Sequence, residues 1–141
     1  MKYLFVFLIL LTSCFCRAEE LSSASQQEIQ QKTQQKTQQE IAHLINYLEA
    51  SGCRFNRNGT WYEAPDAVKH INKKYQYLLD KNAVSTAEVF IEKAASESSM
   101  SGKAYLVQCG NAQPEASAIW FSAELKKYRQ ANPIKTTSDA K

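Results

Sequence analysis

Three serines, a glycine and an amine crowd into Glu97-Ser98-Ser99-Met100-Ser101-Gly102-Lys103, the stretch whose residue types come nearest to a reaction centre. A small hydrolase of the Ser/Lys type would use Ser99 or Ser101 as nucleophile, with Lys103 or the distant His70 taking the hydroxyl proton. Such a lysine needs burial to depress its pKa, which a loop rarely supplies. The spacing fits neither SxxK nor GxSxG, and Gly102-Lys103 lacks the upstream glycine of a phosphate loop. The same residues also make an ordinary helix end, with hydroxyls on free carbonyls and the glycine in the turn.

His43 and His70 are the only histidines, and neither lies in an HxxxH or CxxC spacing. Together with Cys53 and Cys109 they supply enough ligands for zinc, but nothing in their spacing directs them to a common point. No metal and no cofactor are implied. A thiol enzyme would need Cys53 or Cys109 as a thiolate near His70. The competing fate of those cysteines depends on the compartment, which the N-terminus addresses.

Lys2 followed by the unbroken apolar run Tyr3 to Leu11 reads as a secretory signal, too short to be a permanent anchor. Two endings compete. Cys16-Arg17-Ala18 offers small residues for signal peptidase, giving a signal peptide over 1–18 and a periplasmic or secreted chain from Glu19. Leu11-Thr12-Ser13-Cys14 resembles a lipobox, which would lipidate Cys14 and tether the protein in the envelope. Removal of residues 1–18 takes away Lys2 and Arg17 and leaves a formal charge of +1. Balanced charge without a basic run excludes a nucleic-acid partner. The membrane enters only through the signal or a lipid anchor.

Cys14 and Cys16 belong to the leader, so the folded part keeps Cys53 and Cys109. In an oxidising compartment these most simply pair, with two buried free thiols as the alternative. Local patterning supports the pair. Asn58-Gly59 is the preferred type I′ turn, which sets Arg57 opposite Thr60 and Phe55 opposite Tyr62. Alternation then puts Cys53, Phe55 and Tyr62 on one face, and in Ala104 to Cys109 it groups Tyr105, Val107 and Cys109. Closing that loop stabilises the fold by about 4 kcal/mol, less any strain.

Four helices complete an α+β domain over 40–130, packed on a small antiparallel sheet of hairpin plus one strand. Ile41, Leu44, Ile45 and Leu48 form the first apolar stripe, stopped at Gly52. Pro65 opens the second, with Val68, Ile71, Tyr75 and Leu78. Ser85 and Glu88 form a capping box for the third, which faces inward through Ala87, Phe90, Ile91, Ala94 and Ala95. The last, from about Ser117 to Arg129, presents Ala118, Phe121, Leu125 and Tyr128. Residues 19–39 are a Gln-rich spacer, helical if Ser25 and Glu28 cap it and flexible otherwise. Residues 131–141 read as a disordered tail.

The outer face of the hairpin carries Arg54, Asn56, Trp61 and Glu63. Trp61 and Arg54 would suit a partner, with Arg57, Lys73 and Lys74 extending the patch toward an acidic ligand. Alternatively a helix bearing Trp120 covers this face and buries Trp61.

Cys53 to Tyr62 (CRFNRNGTWY), His70 with Lys73-Lys74-Tyr75, Ala87 to Ile91, Ser98 to Lys103 and Tyr105 to Cys109 resemble a family of small secreted bacterial proteins, domain of unknown function 5329. The likeness covers about Ile41 to Arg129. It implies a bacterial, exported, single-domain protein and no activity, cofactor or catalytic residue. In that setting Asn58-Gly59-Thr60 is a turn rather than a glycosylation site. The expected function is a non-catalytic module binding an envelope protein, peptide or cell-wall component, with the small periplasmic hydrolase as the alternative.

Overall fold

The computed structural model describes the backbone of residues 16–133 and the side chains of residues 25–133. The apolar run Tyr3 to Leu11, the Leu11 to Cys14 stretch that resembles a lipobox, and the tail residues 134–141 lie outside the described residues. The chain divides into two units between Lys36 and Thr37.

Helix α1, Cys16–Ala50, carries the Gln-rich stretch. In the first unit its side chains from Ser25 onward are nearly all exposed, and Glu28 pairs with Lys32 one turn on, at 2.7 Å. Both partners are exposed, so solvent screens the pair and it contributes little. The expected cap at Ser25 is corrected: the helix already runs from Cys16, so Ser25 has an interior position. No helix among the described residues is long and apolar enough to cross a membrane.

The second unit is α+β. Ile41, Leu44 and Leu48 of α1 are buried in its core. Strands β1, Arg54–Arg57, and β2, Thr60–Glu63, form the hairpin. Asn58 and Gly59 take φ of 54° and 90°, the left-handed region that a type I′ turn requires of both positions. The register sets Phe55 against Tyr62 and Arg57 against Thr60, as the turn dictates. Strand β3, Leu106–Gln108, runs antiparallel on the other side of β1, with Phe55 opposite Val107.

The sheet has one strand more than expected. Strand β4, Glu115–Ala116, pairs with β3 and completes the order β2-β1-β3-β4. Two residues carry no periodicity, so only the pairing with Leu106 and Val107 defines it. One step beyond the Arg54 and Gln108 pair, the sulfurs of Cys53 and Cys109 lie at disulfide distance, 1.93 Å. The expectation that both sit on the buried face is corrected for Cys109. Cys53 is buried, but β3 ends at Gln108 and Cys109 turns outward into solvent.

Helix α2, Ala64–Asp80, starts with Pro65 in its first turn, where the missing N–H costs nothing. It buries Ala64, Ala67 and Ile71, while Val68, Tyr75 and Leu78 pack half-buried beside them. Helix α3, Ala87–Phe90, passes directly into a π-helical turn, Ile91–Ala95. Its cap is Thr86 rather than Ser85: the Thr86 hydroxyl accepts from Val89 N at 3.3 Å, and the Glu88 carboxylate accepts from Arg129. The five inward residues of this segment are all buried as their spacing predicts, whereas the wider π turn leaves no mark on that spacing.

Helix α4, Ser117–Ala131, buries Ser117, Trp120, Phe121 and Leu125. Trp120 stacks on Tyr47 at 4.4 Å and meets Phe55 edge-on at 5.5 Å. Phe55 and Trp61 occupy opposite faces of the hairpin, so Trp120 does not cover Trp61. Arg129 ties three helices together. Its Nε and Nη2 each donate to a Glu40 carboxylate oxygen at 2.8 Å, and its Nη1 donates to Glu88. Glu40 is only 3% exposed, so this bidentate partner offsets the cost of burying its charge.

Candidate functional site

Pleat alternation sends Phe55 and Arg57 to the inner side of the hairpin, where α2 crosses it. Between them lies a pocket of about 350 Å³, whose wall includes Phe55, Tyr62, Ala67, Ile71, Tyr105 and Phe121. Its size falls within the ~300–1,000 Å³ range of small-molecule sites. The π turn contributes Ala95 to the rear wall, beside Ser117 at the start of α4. There the Ser117 hydroxyl donates to the Ala95 carbonyl at 2.6 Å.

His70, one turn before Lys74 on α2, stands at the mouth and is held from both sides. Arg57 Nη1 lies 2.5 Å from His70 Nδ1, and His70 Nε2 lies 3.0 Å from the Tyr105 hydroxyl. A guanidinium can only donate, so Nδ1 must accept and the ring is neutral with its proton on Nε2, donating to Tyr105. Burial, then the charges of Arg57, Lys74 and Lys73, push the His70 pKa down to about 4. Arg57 also donates to the Tyr62 hydroxyl at 3.3 Å and lies over that ring, 4.9 Å from its centroid.

Lys74 donates to the Glu97 carbonyl at 2.7 Å and sits above the Tyr105 ring at 5.2 Å. Burial lowers the Lys74 pKa and raises that of the Tyr105 phenol. Beyond His70 an adjoining groove of about 460 Å³ shares Arg57, His70 and Lys73 with the pocket and adds Lys74, Lys93 and Ser99. Lys69 and Asp66 border the inner pocket. Five cations therefore surround the two compartments, with Asp66 and Glu97 as the nearby acids.

This geometry divides the residues singled out from sequence. Arg57, Lys74, His70 and Ser99 come together around the pocket and groove. Arg54 and Trp61 lie on the opposite face of the hairpin, where the Arg54 guanidinium covers the half-buried Trp61 ring at 5.6 Å. Arg54 also donates to Gln108 at 3.1 Å.

The Ser98 to Lys103 loop clips the hairpin turn. The Ser101 hydroxyl donates to Asn58 Oδ1 at 2.7 Å, and Asn58 Nδ2 donates to Ser98 Oγ at 3.4 Å. Lys103 is exposed and does not border the pocket. Both ring nitrogens of His70 are engaged by Arg57 and Tyr105, so neither is directed at Ser99 or Ser101. The paired sulfurs of Cys53 and Cys109 likewise leave no thiolate for a nucleophile or zinc ligand. His43 lines neither compartment and has partners of its own, bonded to Glu124 at 2.7 Å and stacked on Tyr128.

Tyr62, Tyr105 and Phe121 were legible as core residues but not as a pocket wall. The paired signal of Arg57 and His70 was present only in three dimensions, because 13 residues and a helix start separate them.

No solved structure matches the chain. A stretch of 51 residues is 43% identical to the uncharacterized protein YfeK of Salmonella typhimurium strain LT2, spanning 36% of this chain and 41% of that protein. The aligned stretch thus covers about two fifths of the length of this relative. Residues 35–129, which hold the pocket, the hairpin and the Arg129 tie, match a family of unknown function, and the chain belongs to that family, DUF5329.

Proposed function

We propose that the protein is a non-catalytic binding module of the bacterial envelope, exported by its N-terminal signal and holding its ligand in the pocket beneath the hairpin. The observation that carries this reading is the fixed Arg57 guanidinium at the pocket wall, with Lys69, Lys73, Lys74 and Lys93 around it. Its hydrogen bonds to His70 and Tyr62 hold it in place before any ligand arrives, which lowers the entropy cost of binding. The engaged nitrogens of His70 and the structural use of Ser101 favour binding over hydrolysis. Lys2 with the apolar run after it, and the pairing of Cys53 with Cys109, favour export. The ligand belongs to an envelope protein, a peptide or the cell wall.

Native mass spectrometry of the protein extracted from the envelope tests this. The expected species is a chain starting at Glu19, or lipidated at Cys14, carrying a small-molecule adduct that Lys73→Glu removes. An uncleaved chain retained in the cytoplasm overturns export. An adduct bound equally by Lys73→Glu, or turnover that Ser99→Ala abolishes, overturns the binding module.

A further inference from the structure

We infer that the ligand is a small organic anion with a compact apolar body, seated with that body in the inner pocket and its charge where pocket and groove meet. The inference rests on the reading of the pocket as the binding site and assigns the chemistry of its occupant. Two features carry it: what the inner compartment rewards, and what stands at the boundary.

The inner compartment is walled by Phe55, Ala67, Ile71 and Phe121, with aromatic edges that suit a ring or short hydrocarbon. Two of the polar groups on this wall already hold a partner. The Ser117 hydroxyl is donated to Ala95, and the Tyr105 hydroxyl is bonded to His70. A polar body placed there would give up water for few new partners, whereas an apolar one gains from every part of its surface that the walls cover.

The boundary is different. Arg57, His70 and Lys73 border both compartments. Two of the five N–H donors of Arg57 go to His70 and Tyr62, which leaves others for a carboxylate, and Lys73 is exposed beside them. His70 is neutral and acts as the wedge that sets the angle of Arg57. Lys74 and Lys93 add positive charge on the groove side, against Asp66 at the pocket and Glu97 beside Lys74. A neutral apolar guest would desolvate Arg57 without a counter-charge, and a cation would be repelled. A bare small anion would leave the apolar walls wet.

Amide chemical-shift titration of the mature protein separates these cases, using phenylbutyrate, phenylbutanol, phenylbutylamine and acetate as probes. Phenylbutyrate is expected to saturate with shifts at Phe55, His70 and Phe121. Lys73→Glu weakens it about tenfold, the loss of one charge-assisted contact, whereas Lys103→Glu, the same charge change away from the pocket, alters it less than about twofold. Phenylbutanol or phenylbutylamine binding the pocket as tightly as phenylbutyrate overturns the anion assignment alone. Acetate binding as tightly overturns the apolar body alone. If no probe moves the pocket residues, the reading of the pocket as the binding site falls with the inference.

Discussion

Acid acts on this fold through His70, and the size of the effect follows from its surroundings. The ring is wedged between Arg57 of β1 and the Tyr105 hydroxyl, with Lys73 and Lys74 on its own helix and Asp66 one turn before it. Protonating Nδ1 would aim a proton at the Arg57 guanidinium. Burial first, and then the charges of Arg57, Lys74 and Lys73, bring the folded pKa to about 4, against 6.5 for a free histidine. Between those values the unfolded chain binds a proton that the folded chain refuses. Stability contributed by neutral His70 is therefore complete above pH 6.5 and falls as pH drops toward 4. At about 1.4 kcal/mol per pH unit the gap amounts to about 3 kcal/mol, reduced to about 2 kcal/mol by residual solvent access. The assay is urea unfolding across this window, with His70→Gln as reference, because its amide can accept from Arg57 and donate to Tyr105 but does not titrate. Wild type is expected to lose about 2 kcal/mol more than the variant on acidification. Parallel curves, or a His70 ring titrating near 6.5 in the folded protein by NMR, would refute the reasoning.

Reduction of the Cys53 and Cys109 pair, which closes a separation of 56 residues, should lower stability by about 4 kcal/mol, read as a shift of the urea midpoint; an unchanged midpoint argues against the bond. Arg129→Met removes the bidentate partner of the buried Glu40 carboxylate and should cost about 3 kcal/mol, with Glu40→Gln in the same chain restoring part of it; additive losses in that double-mutant cycle would deny the pairing. Trp61→Ala, on the hairpin face away from the pocket, should leave phenylbutyrate affinity within about twofold while costing about 1 kcal/mol of stability. A large loss of affinity would move the binding surface to the outer face.

The hairpin was the most legible part of the sequence, because Asn58-Gly59 admits few backbone geometries and fixes the register of everything beside it. The buried faces of α2 and of the Ala87 to Ala95 segment were legible for the same kind of reason, apolar residues recurring at helical spacing, whereas on α4 the spacing picked out Phe121 and Leu125 but placed Ala118 and Tyr128 where the structure buries Ser117 and Trp120. Strand β4 was not, since it exists only through its pairing with β3. The π turn was hidden because Ala94 and Ala95 satisfy the α-helical spacing equally well. At the site, Arg57, Lys73 and Lys74 read as an extension of the outer patch of Arg54 and Trp61, whereas alternation along β1 puts Arg57 on the inner side with Phe55, apart from Arg54 and Trp61. Its meeting with His70 depends on how α2 crosses the hairpin, a tertiary relation that no local pattern encodes. The Ser98 to Lys103 loop looked chemical for its composition, and its hydroxyls fasten the turn at Asn58.

A crystal structure of the protein purified under native conditions from its own cells tests the assignment of this pocket most directly. The expected result is connected, non-water density against Phe55 and Phe121, with an acidic group within hydrogen-bonding distance of Arg57 and Lys73. A pocket filled by its own side chains, with Arg57 swung away from His70, would contradict it.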